Sequence, residues 1–540
     1  MAEALKRPER ARVDAGVDRP AWWVVGGAVV LVALIALAIG PRPLALPARQ
    51  TGDAELAAQV REALGSRAGT RAIAVAVVEP GGIRTAGLGE SGDPSRPKVD
   101  GASAFEIGSI TKAMNGMLLA ALSADGVVSP DARVGRLVSE RSMQSSALGE
   151  VTLEELAQHW SGLRSTVFDG ALGLFGSLLA DFRGADPYPD WSADELLAVA
   201  AEQSTDGRGE YAYSNLGGAV LGHSLAAVTG DDYADVLGAH VLTPAGLTAT
   251  TVATSAADLP ARRVRATGYA GQARQPWLSP GYAPAGAGVW STPGDLARLL
   301  QGVIDGSAPG ADAVAPTTRI AAGRQIGLGW FTSDIDGRAV TWHNGGTGGF
   351  RSWIGFDRAA RRGVVALSAS DRDIDDLGEH LLGVAPPPVE RGWSLPAGRD
   401  LIAFGLIALA LFIAISAVRQ IRAGRLRQRV DLVGGIASVV ALLAIAWRRG
   451  TLDGDLVAAV VGRGHRGGHC DRRTVLVRAS PALGRDGPAL ALARRRIRQR
   501  RDRRAAGRLD PMRRWLAAPS PAGRGGTGPA RCRGCAGVMR

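Results

Sequence analysis

The stretch Ser109-Ile110-Thr111-Lys112 begins a run of apolar residues at helical spacing and places a lysine three residues after a serine. The chain contains 63 lysines and arginines, of which only three are lysines. Residues three apart in a helix share a face, so we expect the Lys112 amine to reach the Ser109 hydroxyl. A buried lysine can lose its proton, whereas an arginine keeps its charge, and an adjacent amine can activate a serine nucleophile. The same spacing also occurs on solvated helix faces, so other segments must decide.

The composition is that of a globular or membrane-associated chain, with 46% hydrophobic and 21% charged residues among 540. The net charge is +12, but residues 448–540 hold 23 arginines, six aspartates and no glutamate, so the preceding residues carry about −5. No basic stripe with interleaved aromatic residues occurs there, which excludes nucleic-acid binding by the main body. All three cysteines lie in the same C-terminal segment, so disulfides do not stabilise the body.

The first apolar run, residues 21–40, has the length of a membrane span. Lysine and arginine are concentrated before it, which predicts a cytoplasmic tail at residues 1–20 and an exported domain after the span. A cleaved signal peptide is the alternative interpretation. We favour an uncleaved anchor because the apolar run is longer than the core of a typical signal peptide.

Two further apolar runs, residues 401–418 and 430–447, follow a proline-rich linker at 386–400. The arginines between the two runs predict a cytoplasmic loop, and the third run could instead be a buried core helix. The resulting prediction is a multi-pass plasma-membrane protein whose domain at 50–385 is extracytoplasmic.

The Arg-rich tail at residues 448–540 has no clear periodicity. One interpretation is a segment that binds nucleic acid or anionic lipid, or a metal site built from histidines and cysteines. Those residues are His465, His469, Cys470, Cys532 and Cys535. One C-x-x-C pair with two irregularly placed histidines lacks the spacing of a zinc site. We therefore favour a tail that is disordered or translated out of frame.

Residues 50–385 have strand patterns at both ends and helical patterns between them. The predicted strands are 71–79, 83–90, 339–343, 351–356 and 363–368, and the predicted helices are 59–64, a helix from Ser109 to Asp125, most of 153–242, and 374–382. Strands from both ends are expected to join in one sheet beside an inserted helical region, which is an α+β fold.

Two later segments carry the residue types that a serine–lysine site would need. Tyr211-Ala212-Tyr213-Ser214-Asn215-Leu216-Gly217 places Tyr213 and Asn215 two residues apart where a loop enters a helix. His343-Asn344-Gly345-Gly346-Thr347-Gly348-Gly349-Phe350 follows a predicted strand, and its glycines allow close approach of a ligand to the backbone.

With the serine–lysine stretch, these segments resemble the serine β-lactamase and penicillin-binding protein superfamily. The resemblance is to its class C β-lactamase-like branch of hydrolases, esterases and D-Ala-D-Ala carboxypeptidases. Ser109–Lys112 matches S-x-x-K, Tyr213–Asn215 matches Y-x-N, and His343–Gly345 matches the H-x-G form of the third motif. His159–Leu163 and Tyr282–Gly286 are weaker similarities. The resemblance covers roughly residues 55–370.

This resemblance implies a β-lactamase-like fold with a central antiparallel sheet flanked by helices, to which the transmembrane helices would be added. It also implies catalytic roles for three side chains. Ser109 would be the nucleophile that becomes acylated. Lys112 would help to remove its proton, kept close to neutral by burial and nearby positive charge, and Tyr213 would share proton transfer to the leaving group.

The remaining residues of the motifs are expected to bind substrate. They are Asn215, His343, Asn344, Gly345 and Gly346. Asn215 would orient the lysine or a substrate amide, or would simply cap its helix. The backbone N–H groups of Ser109 and Gly346 would form an oxyanion hole. His343 stands where many relatives have a lysine, so recognition of a substrate carboxylate is weakened and lactam hydrolysis ranks below carboxypeptidase or esterase activity.

Taken singly, Tyr213 would be a core tyrosine, and His343 and His159 would be structural; we leave His159 out of the site. The ordered set predicts a membrane-anchored serine hydrolase of esters or amides that needs no metal or organic cofactor. Its partners would be a small-molecule or peptide substrate and the membrane, with no nucleic acid. The alternative is a penicillin-recognising cell-envelope sensor with little turnover, which the additional spans would suit.

Overall fold

The computed structural model describes residues 44–385, except 66–68, 140, 168–179, 181–183, 269–270 and 272, together with the isolated positions 409, 413, 415, 416 and 419. Apart from those positions, the predicted tails, spans and linker at 1–20, 21–40, 386–400, 401–418, 430–447 and 448–540 lie outside the described residues. Within the described part, none of the helices has both the length and the apolar character that crossing a membrane requires.

The strands are β1 (Gln50–Gly52), β2 (Ala72–Glu79), β3 (Gly82–Gly89), β4 (Phe105–Glu106), β5 (Ser161–Gly162), β6 (Gly207–Arg208), β7 (Thr251–Val252), β8 (Val289–Ser291), β9 (Thr318–Ala321), β10 (Arg324–Ile326), β11 (Phe331–Ile335), β12 (Arg338–Gly346), β13 (Arg351–Asp357) and β14 (Arg362–Ala369). The helices are α1 (Ala54–Leu64), α2 (Ile110–Ala124), α3 (Val134–Leu137), α4 (Arg141–Gln144), α5 (Leu153–Ala157), α6 (Ala193–Ala201), α7 (Asn215–Thr229), α8 (Tyr233–Leu237), α9 (Pro293–Asp305) and α10 (Asp375–Leu382).

The main sheet of the described chain has nine strands in the order β1-β3-β2-β14-β13-β12-β11-β10-β9, and every neighbouring pair is antiparallel. Strands β2 and β14 pair with Ala366 opposite Val75, so the two ends of the domain meet in the middle of the sheet. This confirms the prediction of one sheet built from both ends.

Both faces of the sheet are buried, because helices cover each of them. Along β2, Ala72, Ala74 and Ala76 belong to the core on the side of α2 and α9, whereas Ile73, Val75 and Val77 belong to the core under α1 and α10. Alternation with a period of two places successive side chains on opposite faces, so a strand covered on both faces consists almost entirely of apolar residues.

The predicted end strands, the helix from Ser109 and the final helix are present within one or two residues of their predicted bounds, except at the C-terminal end of β12. Strands β9, β10 and β11 were not predicted and extend the sheet beyond β12. They are short, and β9 and β10 carry arginines, so they lack a clear apolar alternation. The region 153–242 contains helices α5 to α8 and also the small β5–β6 pair. The helical insertion is therefore less regular than its pattern indicates.

Candidate active site

A cavity of about 550 Å³ lies where the beginning of α2 meets the end of β12. Its lining is polar and includes both backbone and side-chain groups. The lining residues are Ser109, Tyr213, Asn344, Gly345, Gly346, Arg351, Asp371, Arg372, Asp373 and Asp375. Residues from all three sequence motifs therefore contribute to one cavity.

Ser109 directly precedes α2, and Lys112 lies one turn into that helix with only 3% of its surface exposed. The Lys112 Nζ donates a hydrogen bond to Ser109 Oγ at 2.9 Å, which confirms that the amine reaches the hydroxyl. Nζ also donates to the Ala285 carbonyl oxygen at 2.7 Å. These two acceptors fix the amine beside the serine.

Burial lowers the pKa of Lys112 from 10.5 to about 7. Removal from water disfavours the ammonium form, and burial accounts for this shift without a contribution from neighbouring charge. The prediction of a nearly neutral lysine rested on burial and on nearby positive charge, and burial alone supports it. At neutral pH, a substantial fraction of the amine can accept a proton.

Tyr213 is the third side chain, after Ser109 and Lys112, that can exchange a proton at this site. Burial raises the pKa of Tyr213 above its usual value and outweighs a hydrogen bond between its side chain and Ser109, which favours the phenolate. The Lys112 Nζ lies 5.2 Å from the centroid of the Tyr213 ring. The structure therefore brings Ser109, Lys112 and Tyr213 together, with the phenol protonated.

Asn215 is the first residue of α7, and its backbone N–H donates to the Ser165 carbonyl at 3.1 Å. The cap of this helix is Ser214, whose hydroxyl accepts from the Gly217 N–H at 2.8 Å. Asn215 therefore does not serve as the helix cap. Its role toward lysine or substrate stays a prediction.

Glycine is required where β12 passes Ser109. A Cβ atom on Gly345 would lie 2.0 Å from the Ile107 carbonyl oxygen and 2.8 Å from the Ser109 nitrogen. Gly108 has a φ of +52°, and a Cβ there would lie 2.7 Å from the Gly346 nitrogen. Side chains at either position would force β12 away from the start of α2. The glycines thus keep the N–H groups of Ser109 and Gly346 in neighbouring segments.

His343 is fully buried and does not line the cavity. Its Nδ1 lies 2.6 Å from the Asn344 carbonyl oxygen, so Nδ1 carries the proton and donates it. Burial, with the charge of Lys112 as a smaller cause, lowers the pKa of His343 to about 3. The imidazole is therefore neutral. Asn344 does reach the cavity, and its amide donates to Asp375 at 2.6 Å.

Three polar groups beside the site were not identified from the sequence pattern. The Ala285 carbonyl binds Lys112, and Asn115 donates to the Pro284 carbonyl at 2.8 Å, holding the loop that carries Ala285. Glu106 accepts from the Trp277 N–H at 2.9 Å, and burial raises its pKa to about 8. Asn115 could have been recognised from the sequence, because it is a polar residue on the otherwise apolar face of α2. The Ala285 carbonyl could not, because every residue has a backbone carbonyl.

Within the described ranges, no group of three or more His, Cys, Asp or Glu side chains is arranged to hold a metal ion. The histidines and cysteines of the C-terminal tail, which were the alternative metal ligands, lie outside those ranges. What the site offers chemically is a serine hydroxyl, a buried amine, a protonated phenol and two adjacent backbone N–H groups.

The family model of beta-lactamases matches residues 56–385. No curated protein sequence matches the chain. Among solved structures, a class C beta-lactamase superposes with a TM-score of 0.52 at 17% identity, covering 63% of this chain and 98% of the other. Another, in complex with cefoxitin, gives 0.51 at 18% identity, covering 61% and 97%. The D-alanine carboxypeptidase AmpC from Burkholderia cenocepacia gives 0.50 at 20% identity, covering 61% and 99%. At these identities the likeness establishes the fold, which is β-lactamase-like and α+β.

Proposed function

Because this chain belongs to the beta-lactamase family and is a serine hydrolase of that family, we propose that it hydrolyses esters or amides through an acyl-enzyme on Ser109. The observation that carries the proposal is the 2.9 Å hydrogen bond from a buried Lys112 to Ser109 Oγ. A hydroxyl is a weak nucleophile unless a base removes its proton as it attacks. Lys112, with its pKa near 7, is the base in reach.

In the acylation step, Ser109 Oγ attacks the substrate carbonyl carbon while its proton passes to the neutral Lys112 amine. The tetrahedral intermediate then collapses with cleavage of the bond to the leaving group. The leaving group takes a proton from Tyr213, which recovers one from Lys112. Water attacks the acyl-enzyme in the second half, its proton returns along the same groups, and Ser109 is released as the leaving alcohol.

The backbone N–H groups of Ser109 and Gly346 are proposed to bind the developing oxyanion. The close packing of Gly108 on Gly346 supports this assignment, because it keeps the two donors in adjacent segments. Each such donor contributes about 3–4 kcal/mol to acyl transfer in comparable sites. Both are backbone groups, so they need no reorganisation during the reaction.

The charge of the cavity supports hydrolysis of uncharged esters over hydrolysis of anionic lactams. His343 is neutral, so it offers no cation at the position where many relatives have lysine. The lining carries two arginines, Arg351 and Arg372, and three aspartates, of which Asp375 has its pKa raised well above the usual value by burial. The lining therefore has no excess of positive charge that would attract an anionic lactam. We therefore rank uncharged esters first.

We also propose that the enzyme is anchored in the plasma membrane with its hydrolase domain outside. The support is the apolar run at 21–40, the basic residues before it and the apolar runs at 401–418 and 430–447. An exported hydrolase would meet small-molecule esters or envelope peptides as substrates.

One fractionation experiment tests location and substrate class together. Carbonate-washed membranes from cells producing the full chain are expected to hydrolyse p-nitrophenyl acetate faster than nitrocefin, compared with membranes containing an inactive Ser109→Ala protein. Activity confined to the soluble fraction would contradict the anchor. Faster turnover of nitrocefin would contradict the substrate ranking, and labelling by a fluorescent penicillin without any turnover would favour the sensor.

The pH dependence of kcat/KM should follow the protonation of Lys112. Below a pH of about 7 the amine is protonated and cannot accept the Ser109 proton, so activity should fall as pH decreases through that value. Hydrolysis of p-nitrophenyl acetate measured between pH 5 and 9, on the order of two units each side of the inflection, checks this. Glu106, with a pKa of about 8, is the nearby group that needs a control. The Glu106→Gln variant should keep the acid limb, and loss of that limb would assign it to Glu106 instead.

A further inference from the structure

His159 holds the backbone on both sides of Tyr213. Its carbonyl oxygen accepts from the Ala212 N–H at 2.9 Å, and its ring Nδ1 accepts from the Ser214 N–H at 3.3 Å. One residue therefore binds the N–H groups that immediately precede and follow the catalytic tyrosine. This arrangement limits rotation of the backbone at Tyr213.

The imidazole also packs against the phenol ring itself. The centroids of the His159 and Tyr213 rings are 4.4 Å apart with an interplanar angle of 42°, and His159 is only 1% exposed. A contact of this kind fixes the ring as well as its backbone. His159 thus constrains Tyr213 at three points: two backbone N–H groups and one ring face.

His159 adopts a backbone conformation that histidine rarely takes. Its φ is +62°, in the left-handed region that glycine and asparagine occupy more easily. Such conformations persist when surrounding interactions hold them, and they are concentrated at functional sites. The left-handed turn here is what allows both the carbonyl and the side chain of one residue to face the Tyr213 segment.

The ring is neutral, with a defined tautomer. Because Nδ1 accepts a hydrogen bond, the proton lies on Nε2, and burial, together with the charge of Lys112, keeps the pKa of His159 well below 6.5. Nε2 is buried and has no hydrogen-bond partner among the described residues.

We propose that His159 is the positioning residue of Tyr213, which it fixes by ring contact and by the flanking N–H groups so that the phenol meets Ser109. The proposal rests on the proposed role of Tyr213 in proton transfer. It assigns no contact between His159 and substrate. Loss of His159 should therefore impair the chemical step and leave substrate binding nearly unchanged.

Two substitutions separate the interactions of this residue. In His159→Asn, the amide oxygen can replace Nδ1, and asparagine tolerates the positive φ, but the ring contact is lost. In His159→Phe, the ring is kept and the Nδ1 acceptor is lost. Each variant of the full chain should lower kcat for p-nitrophenyl acetate by about tenfold or more, because a displacement of about 1 Å can cost that much. KM should change by less than about threefold.

A double-mutant cycle with Tyr213→Phe distinguishes positioning from general support of the fold. If His159 acts through the phenol, the His159 substitutions should have little further effect on kcat in the Tyr213→Phe background. Additive losses would overturn the proposal. If Tyr213→Phe alone retained full activity, the proposed role of Tyr213 would itself be wrong, and the single variant would show this separately from the cycle.

His223→Asn is the matched control. His223 is also a buried histidine with a tyrosine neighbour, but its Nε2 lies 2.8 Å from the Gly281 carbonyl and its ring faces Tyr233. It should lower the unfolding temperature without a selective loss of kcat. Thermal unfolding of every variant shows which remain folded, and either folded His159 variant suffices for the cycle. Equal kcat losses in the His159 and His223 variants would contradict the proposal.

Discussion

Replacement of Ser109 by alanine should abolish both turnover and covalent labelling by a fluorescent fluorophosphonate. Ser109 is the hydroxyl that both the Lys112 amine and the Tyr213 phenol contact in the cavity. Without it no acyl-enzyme can form, and losses on the order of 10⁴-fold or more follow removal of a nucleophile in serine hydrolases. Ester hydrolysis and gel fluorescence on the same purified full-length protein measure the two effects.

Ser224→Ala provides the matched control for that experiment. Ser224 is a fully buried serine within α7, and its hydroxyl has no hydrogen-bond partner among the described residues. It should keep labelling and turnover. If the Ser109→Ala protein were labelled as strongly as the unchanged protein, the nucleophile would be another residue and the acyl-enzyme at Ser109 would be refuted.

Local contacts were the part of the site that the sequence could predict. Ser109 and Lys112 are one helical turn apart, so a helix alone brings them together. Tyr213 lies on a different segment, and only the resemblance of its motif to a family indicated that it would reach the same cavity. The interpretation of His159 as structural missed its contacts with Tyr213, because those depend on a left-handed turn that no pattern in the sequence marks.

The central strands of the fold were also predictable from local sequence, whereas the edge strands were not. Strands β2, β13 and β14 are largely apolar in their central residues because helices cover both faces of the sheet, and such segments are readily recognised. Strands β9 and β10 near the edge of the sheet are short and partly exposed. They are therefore defined by pairing with a neighbouring strand and not by an apolar pattern in the sequence. The family model covers the whole of this sheet apart from β1.

Lys112→Arg should cause a loss of activity on the order of 10²-fold or more, although the formal charge is unchanged. The proposed reaction needs an amine that is partly neutral at pH 7, and burial provides this by lowering the pKa of Lys112 to about 7. A guanidinium stays protonated in proteins and cannot accept the Ser109 proton. The space is also tight, since a Cβ on Gly218 would lie 2.9 Å from the Lys112 Cε.

The same substitution at Lys98 isolates the effect of position, because Lys98 is an exposed lysine that does not line the cavity at Ser109. Lys98→Arg should retain full activity with p-nitrophenyl acetate. A buried guanidinium can also destabilise the fold, so Lys112→Met, which places an uncharged side chain in the same space, is the second variant. It should remain folded by thermal unfolding yet be as inactive as Lys112→Arg. Full activity in either Lys112 variant would refute the lysine as the base, because neither side chain can take up the proton that Ser109 must lose.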